Sequence, residues 1–155
     1  MENDLNNLYN KLKKIIIPNC SKNQERKDFG KCRFVTFGLT RYRFRTNMLQ
    51  LSAYSKKYPE IYELILEIGK KYCPHDFNAI HLNHNVTCPP HKDATNVGAS
   101  TIISFGEYTG GKLVVEGEIC DAYMQPITFN GYELMHWNTN DLIGNKYSLV
   151  FFNRK

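Results

Sequence analysis

The sequence predicts a mainly β fold supported by α-helices, and three observations lead to this class. From Phe77 onward, short β-type runs alternate with Gly, Pro and Asn. Helical periodicity is confined to the first half of the chain. The length of 155 residues, or 18.0 kDa, suits one domain. We therefore expect a single domain over residues 1–155, in which residues 1–76 supply helices and a supporting strand and residues 77–155 form a β-sandwich or open barrel.

Two segments of the first half are predicted to be helices. The stronger one runs from Pro59 to Tyr72, with Lys70 and Lys71 at the end of the helix that favours positive charge. The other is predicted to end at Pro18. Its apolar face consists of residues spaced three and four apart, namely Leu5, Leu8, Leu12, Ile15 and Ile16. Both helices are expected to pack against the sheet.

The β-type runs give the expected strands. In the second half these lie near residues 78–86, 99–105, 111–116, 126–129, 132–136 and 146–153. A further strand is predicted from Phe34, after a loop over residues 19–31. At its end two sets of side chains alternate between opposite faces, Arg41, Arg43 and Arg45 on one and Tyr42 and Phe44 on the other. This stretch is either a nucleic-acid contact that grips phosphates and stacks on bases, or an edge strand with solvated charges.

Composition excludes two broad classes of protein. Apolar residues make up 42% of the chain, with nine Phe and ten Tyr, so the chain can bury a core and is not globally disordered. No apolar run is long enough to cross a bilayer. The net charge of +5 is uneven, since residues 1–80 carry +7 and residues 81–155 carry −2. The positive half could meet an anionic partner such as nucleic acid, or it is simply a solvated Lys-rich surface.

Cysteine use and the first residues bear on the compartment. The five cysteines are odd in number, widely spaced and without a C-x-x-C pair: Cys20, Cys32, Cys73, Cys88 and Cys120. We interpret them as reduced thiols rather than a disulfide framework. The first four residues are acidic and polar, where a secretory signal would carry positive charge followed by an apolar stretch. The sequence therefore predicts an intracellular protein, cytoplasmic or nuclear, that is not secreted.

Three residues have the chemistry of a metal site. His91 and Asp93 follow the end of a predicted strand, and residues two apart in extended chain point to the same side. His136 closes another predicted strand 43 residues after Asp93. Two imidazoles and one carboxylate leave three coordination positions open, which is the arrangement used by non-haem Fe(II) oxygenases.

Further polar residues accompany these three. Lys146 lies ten residues after His136, and Ser148 shares its face of the next predicted strand, so together they can hold a carboxylate. Between the two halves of the site in the sequence, Gly110 and Gly111 predict a hairpin turn that leads into another strand. On the strand near 78–86, Asn83 lies on a polar face, where it is either a co-substrate contact or an ordinary hydrogen-bonded residue.

The ordered set His91-x-Asp93, Gly110-Gly111-x-Leu113, His136 and Lys146-x-Ser148 resembles the Fe(II)/2-oxoglutarate-dependent dioxygenases. These are double-stranded β-helix, or jelly-roll, proteins, and the resemblance covers residues 77–155. It implies that His91, Asp93 and His136 ligate Fe(II). It also implies that Lys146 and Ser148 bind the distal carboxylate of 2-oxoglutarate. The implied reaction uses dioxygen, converts 2-oxoglutarate to succinate and carbon dioxide, and hydroxylates a C–H bond of the substrate.

The resemblance extends to one branch of that superfamily. His91-x-Asp93-x-x-Asn96 is similar to the pattern of the TET and J-binding-protein oxygenases, which oxidise a pyrimidine methyl group in DNA. It implies that Asn96 contacts the target base, and Arg41 and Arg43 are then candidate substrate contacts.

Two other functions stay open on the sequence. The closer one is hydroxylation of a protein side chain, of the prolyl or lysyl type. The other is a non-enzymatic, zinc-bound nucleic-acid-binding module. Its zinc would draw on a cluster of six residues, Cys73, His75, His81, His84, Cys88 and His91.

Overall fold

The computed structural model describes residues 1–18, 33–41, 48–94 and 96–154. In these residues the chain forms three helices, α1 (Glu2–Leu12), α2 (Ala53–Lys57) and α3 (Pro59–Tyr72). It also forms nine strands: β1 (Arg33–Arg41), β2 (Leu49–Leu51), β3 (Ala79–His84), β4 (Asn96–Thr109), β5 (Leu113–Val115), β6 (Glu118–Cys120), β7 (Ile127–Phe129), β8 (His136–Asn138) and β9 (Ile143–Arg154). The predicted loop at 19–31 and the residues Arg43 and Arg45 lie outside the described residues.

The strands form two antiparallel sheets. The large sheet has the order β2-β1-β3-β9-β4-β7, and the small sheet has the order β6-β5-β8. The long strands β4 and β9 pair along most of their length and form the centre of the large sheet. This arrangement confirms the predicted mainly β class with supporting helices and the jelly-roll architecture.

The helices cover one face of the large sheet. Along β9, Tyr147, Leu149 and Phe151 point into the core, whereas Lys146 and Ser148 lie on the opposite face. The partners of this core face come from the helices, namely Leu5, Leu8 and Leu12 of α1 and Ile61, Ile65 and Ile68 of α3. Fully burying one such side chain contributes about 1.5–3 kcal/mol. The helices thus fix the large sheet from one side and leave its polar face toward the small sheet.

One of the two helix predictions is confirmed, and the other is wrong at its C-terminal end. The prediction for α3 is confirmed at both ends, Pro59 and Tyr72. The prediction that the first helix continues to Pro18 is wrong, because α1 ends at Leu12. After Leu12 the backbone tightens into bonds between residues three apart, such as Ile15 N–H to the Leu12 carbonyl at 3.1 Å. This change of phase leaves Ile16 84% exposed, while Ile17 is buried in the core.

Most strands of the second half are confirmed, and one prediction is wrong. Residues 132–136 do not form a strand, because residues 130–135 make a hydrogen-bonded turn and β8 begins at His136. His136 therefore opens a strand rather than closing one. The short elements β2, α2 and β6 were not predicted, since three to five residues carry too little periodicity to be recognised.

The prediction of a hairpin at Gly110 and Gly111 is also wrong. β4 belongs to the large sheet and β5 to the small one, so these glycines carry the chain from one sheet to the other. Both have left-handed backbone, with φ of 71° and 60°. A Cβ at Gly110 would overlap the carbonyl oxygen of Asp141. Glycine is required here by the crossing rather than by a hairpin turn.

The described residues include no helix with the length and apolar character needed to span a membrane. Their longest helix, α3, has 14 residues and packs on the sheet.

Gly69 tests the contact between α3 and the sheet. A Cβ at this position would overlap the rings of Phe77 and Phe151. Alanine is a better helix former than glycine by about 1 kcal/mol. We nevertheless expect Gly69→Ala to lower the free energy of unfolding by about 1–3 kcal/mol, because overpacking outweighs helix propensity. Urea denaturation measures the change.

The neighbouring, exposed Lys70 provides the control. Lys70→Ala should change the free energy of unfolding by no more than about 0.5 kcal/mol. A Gly69→Ala variant as stable as the original chain would contradict the described packing of α3.

Candidate metal centre

The side chains of His91, Asp93 and His136 converge at one point between the two sheets. One potential ligand atom from each lies within 4.8 Å of the others. The Nε2 atoms of His91 and His136 are each 3.5 Å from a carboxylate oxygen of Asp93. Among the described residues, this is the group of three or more His, Cys, Asp or Glu side chains that could hold a metal ion. The structure thus brings together the three residues that the sequence singled out.

Backbone pairing holds the two histidines side by side. His91 and His136 exchange both backbone N–H···O=C bonds, at 3.1 and 3.0 Å. The segment before His91 is tied to β8 as well, because the Cys88 N–H donates to the side-chain Oδ1 of Asn138 at 3.0 Å and the Asn138 N–H donates to the Cys88 carbonyl oxygen at 2.9 Å. The ring centroids of His91 and His136 are 4.2 Å apart. The position of the site is therefore fixed by main-chain bonds between segments more than 40 residues apart in sequence.

The tautomer of each histidine follows from its second ring nitrogen. Nδ1 of His91 lies 2.8 Å from the Pro89 carbonyl oxygen, and Nδ1 of His136 lies 2.9 Å from that of Leu134. A carbonyl oxygen only accepts, so Nδ1 carries the hydrogen in both rings. In the neutral ring the lone pair then sits on Nε2, the atom that faces Asp93. This is the arrangement that metal-binding histidines require.

The pKa shifts of Asp93 and His136 favour a positive charge among the three side chains. Burial disfavours the ionised form of Asp93, but hydrogen bonds from His136 and His91 outweigh burial and hold the Asp93 pKa well below its usual range. Burial also disfavours charged His136, yet the hydrogen bond with Asp93 raises the His136 pKa. The carboxylate is thus ionised and close to a positive charge. A divalent cation placed among the three would take over the role of that proton.

Asn96 supports the carboxylate. Its Nδ2 donates to Asp93 Oδ2 at 3.4 Å and to Ser100 Oγ at 3.3 Å. Asn96, which the resemblance gives as a contact to the target base, thus lies beside the metal group, and its amide orients the carboxylate of Asp93.

Lys146 is a buried cation without an acidic partner. Its side chain is 5% exposed, and Nζ donates to the Gly111 carbonyl oxygen at 2.5 Å. In the part of the chain that the structure describes, no carboxylate oxygen lies within 4 Å of Nζ. Burial lowers the Lys146 pKa. An unpaired buried charge is unfavourable by several kcal/mol, so this position suits an anion from outside the chain.

Polar groups surround Lys146 on the same face of the large sheet. Ser148 lies opposite both Asn83 of β3 and Ser104 of β4, and Asn83 Nδ2 donates to Ser148 Oγ at 3.3 Å. Asn83 Oδ1 is buried and, among the described residues, has no hydrogen-bond partner. Asn83 and Ser148 are therefore in contact, and Lys146 shares the face of β9 that carries Ser148, as its alternation predicts.

Sequence reasoning missed Tyr108. Its ring centroid is 5.5 Å from Lys146 Nζ, and burial raises the pKa of its hydroxyl to about 12. The hydroxyl thus stays protonated and can donate a hydrogen bond. The sequence pattern could have indicated it, because Ser104 and Tyr108 lie four residues apart on one strand and their side chains therefore share a face of the sheet.

Arg154 was missed as well. It lies directly opposite Asn96 in the pairing of β4 with β9, and its Nη2 is 3.4 Å from His81 Nε2. Its Nε is buried and, in the described chain, has no hydrogen-bond partner. Burial lowers the Arg154 pKa, and so does the positive charge of Arg41. The predicted contact Arg41 is thus close enough to Arg154 to repel it, whereas Arg43 lies outside the described residues.

The alternative zinc cluster does not assemble. His84 stacks on Tyr147 at 4.3 Å and bonds to Asn145, on the face of the sheet that the helices cover. His75 Nε2 is 2.8 Å from Thr101 Oγ1. Cys73 Sγ lies 3.5 Å from His75 Nε2, but among the described residues no three of the six bring ligand atoms close enough to hold one ion, and His91 belongs to the other group.

Comparison with solved structures supports the fold. The chain is similar to NgTET1 in complex with 5mC DNA, with a TM-score of 0.65 and 15% identity over 100% of this chain and 69% of that one. It is similar to OsALKBH1, with a TM-score of 0.50 and 10% identity over 99% of this chain and 92% of that one. A Pseudomonas putida prolyl-4-hydroxylase gives a TM-score of 0.43 and 16% identity over 86% and 77%. NgTET1 and OsALKBH1, the two with TM-scores of at least 0.50, are Fe(II)/2-oxoglutarate oxygenases.

The chain has the fold of the Fe(II)/2-oxoglutarate oxygenases. No protein-family model and no curated protein matches it. At these identities the similarity shows the fold alone, and the resemblance inferred from the sequence motifs is confirmed at that level. In this fold, His91 pairs with His136 of the small sheet, and Asp93 accepts a hydrogen bond from Asn96 of the large sheet.

Removal of the carboxylate tests the metal centre. We expect Asp93→Ala to weaken Co(II) binding at least about 100-fold, because it removes the one anionic ligand. Titration monitored by visible absorption measures the affinity, and circular dichroism checks that the fold is kept. Exposed Asp76 gives the matched control, and Asp76→Ala should bind Co(II) like the original chain. Equal affinity in Asp93→Ala would place the metal elsewhere.

Proposed function

We propose that the protein is an Fe(II)/2-oxoglutarate-dependent dioxygenase that hydroxylates a C–H bond of its substrate. The observation that carries this proposal is the His-Asp-His group, with both Nε2 atoms directed at one carboxylate, inside an oxygenase fold. His91, Asp93 and His136 are the proposed ligands. Their donor set of two imidazoles and one carboxylate fits Fe(II) and leaves positions for a bidentate co-substrate and dioxygen.

The bound Fe(II), with 2-oxoglutarate and dioxygen, would supply an oxidant for the C–H bond while 2-oxoglutarate becomes succinate and carbon dioxide. The chain itself needs no general base for this chemistry. Its residues hold three ligands in place, leave the remaining positions open and bury the co-substrate away from bulk water.

Lys146 is the proposed partner of the distal carboxylate of 2-oxoglutarate. Its ammonium is buried and, in the described part of the chain, has no acid within 4 Å, so a carboxylate would neutralise it through a charge-assisted hydrogen bond. Ser148 and Asn83 Oδ1, which has no partner among the described residues, lie on the same face. We propose Ser148 and the Tyr108 hydroxyl as donors to the same carboxylate, and Asn83 as a residue that orients Ser148.

Loss of Lys146 tests the co-substrate site. We expect Lys146→Ala to raise the 2-oxoglutarate concentration needed for half-saturation about 10- to 100-fold, because a charged hydrogen bond of about 1.5–3 kcal/mol is lost. Anaerobic titration of the Fe(II) protein with 2-oxoglutarate, followed through the weak visible charge-transfer band of the chelate, measures this. The band should disappear altogether in His136→Ala.

The exposed Lys112, on the same crossing between the sheets, is the control for charge. Lys112→Ala should titrate like the original chain. An unchanged 2-oxoglutarate requirement in Lys146→Ala would mean that another residue holds the carboxylate. Absence of the band in the original chain would overturn the proposed function.

We infer that the substrate is a base in nucleic acid. The first support is a group of four polar or charged residues at the edge of the site. Arg154 lies opposite Asn96, contacts His81 and is close to Arg41. Among the described residues the buried Nε–H of Arg154 has no hydrogen-bond partner, and a guanidinium in this position favours an acceptor-rich group such as a base edge or a phosphate. The charge of +7 on residues 1–80 and the fold similarity to a DNA-bound oxygenase support the same substrate class. Asn96, Arg41 and Arg43 remain proposed substrate contacts.

Salt dependence and Arg154 together test this substrate class. We expect binding of a methylcytosine-containing DNA oligonucleotide to weaken steeply as salt rises, because phosphate contacts release counterions. Arg154→Ala should weaken binding about 5- to 20-fold at low salt. Lys70→Ala removes the same charge from the exposed face of α3 and should leave binding nearly unchanged. Fluorescence anisotropy measures both variants. If neither DNA nor RNA binds at low salt, the nucleic-acid substrate is excluded and a protein side chain becomes the substrate to test.

A further inference from the structure

The turn over residues 130–135 links β7 to β8 and is organised by one side chain. Asn130 Oδ1 accepts the backbone N–H groups of Tyr132 and Glu133, at 3.1 and 3.2 Å. The Asn130 carbonyl also accepts from the Leu134 N–H at 2.9 Å. Asn130 thus fixes the path of the chain immediately before His136.

This turn contacts two of the proposed metal ligands through its backbone. The Gly131 carbonyl oxygen accepts from the Asp93 N–H at 2.8 Å. The Leu134 carbonyl oxygen accepts from His136 Nδ1 at 2.9 Å. The turn therefore orients one ligand through its main chain and the other through its ring.

Gly131 lies directly against the carboxylate of Asp93. It is buried, and a Cβ built on it would overlap Asp93 Oδ2 and lie 3.3 Å from His136 Cε1. Its φ lies outside the left-handed region that favours glycine, so φ does not call for glycine here. Space, and not backbone conformation, is therefore what requires glycine at this position.

We propose that Gly131 is a positioning residue of the metal site, because its missing side chain leaves the space in which the Asp93 carboxylate lies between the two imidazoles. The inference rests on the metal site of the proposed function. A methyl group at this position would push the carboxylate away from Nε2 of His136, or would move the turn and with it the Leu134 carbonyl. Either movement spoils the geometry of the ligands while leaving every ligand in the chain.

Metal affinity, separated from stability, tests this role. We expect Gly131→Ala to weaken Co(II) binding about 10- to 100-fold, the range for residues that orient metal ligands. Visible absorption of bound Co(II) gives the affinity without any turnover. Urea denaturation of the metal-free proteins gives the stability of each variant.

Gly69→Ala is the matched control. An added Cβ at Gly69 would overlap the rings of Phe77 and Phe151, on the face of the large sheet that the helices cover and not on the face that carries Lys146 and Ser148. This variant should lose stability and keep its Co(II) affinity. A second variant, Asn130→Ala, loosens the turn without adding atoms and should weaken Co(II) binding by a smaller factor.

The outcomes distinguish the inference from the proposed function. Co(II) affinity in Gly131→Ala equal to that of the original chain overturns the inference. If Gly131→Ala does not fold, Asn130→Ala decides, and an unchanged affinity in that variant overturns it. An original chain that binds no Co(II) overturns it together with the metal site. If the original chain binds Co(II) but never consumes 2-oxoglutarate, only the dioxygenase function is overturned. The Co(II) affinity of Gly131→Ala relative to the original chain then still tests the role of Gly131.

Discussion

The alternation of side chains along β9 is the constraint on which the rest of the structure depends. One face of this strand packs on the helices through Tyr147, Leu149 and Phe151, and the other carries Lys146 and Ser148. Because the period of a strand is two, a slip by one residue would place the ammonium in the core and the rings in the site. The large hydrophobic surface that α1 and α3 bury thus also fixes the register of the polar face.

The chemistry of the polar face of β9 depends on two cations that are at least partly buried, Lys146 and Arg154. Among the described residues, neither Lys146 nor Arg154 has a carboxylate within 4 Å, although burial lowers the pKa of both. Two such cations on one face of one strand are unfavourable for the isolated chain. They lie eight residues apart, which in extended chain is roughly 26 Å between their Cα atoms. A five-carbon diacid is too short to satisfy both, so under the proposed function Lys146 would meet the co-substrate and Arg154 the substrate.

The metal group depends on main-chain groups more than on side chains. Carbonyl oxygens of Pro89 and Leu134 fix the two imidazoles, and the Gly131 carbonyl fixes the backbone of Asp93. The reciprocal bonds between His91 and His136 join the two segments. A change at a residue with no polar side chain, such as Gly131, can therefore alter the geometry of the proposed metal ligands.

The sequence by itself determined the class of fold, the limits of α3 and the identity of the three proposed metal ligands. It could do so because these features depend on local pattern: an apolar stripe of period 3.6, and residue types whose chemistry is specific. It also placed Lys146 and Ser148 on one face of a strand and Asn83 on the polar face of another, since alternation along a strand shows which residues share a face.

Only the tertiary structure decided the rest. The turn over residues 130–135 reads as a strand in sequence, and it becomes a turn because Asn130 caps it and Asp93 binds it from a distant segment. Gly110 and Gly111 form a crossing between sheets because β5 pairs with β8 rather than with β4. The roles of Tyr108, Arg154 and Gly131 depend on neighbours far along the chain, and such contacts leave no periodic signal in a single sequence.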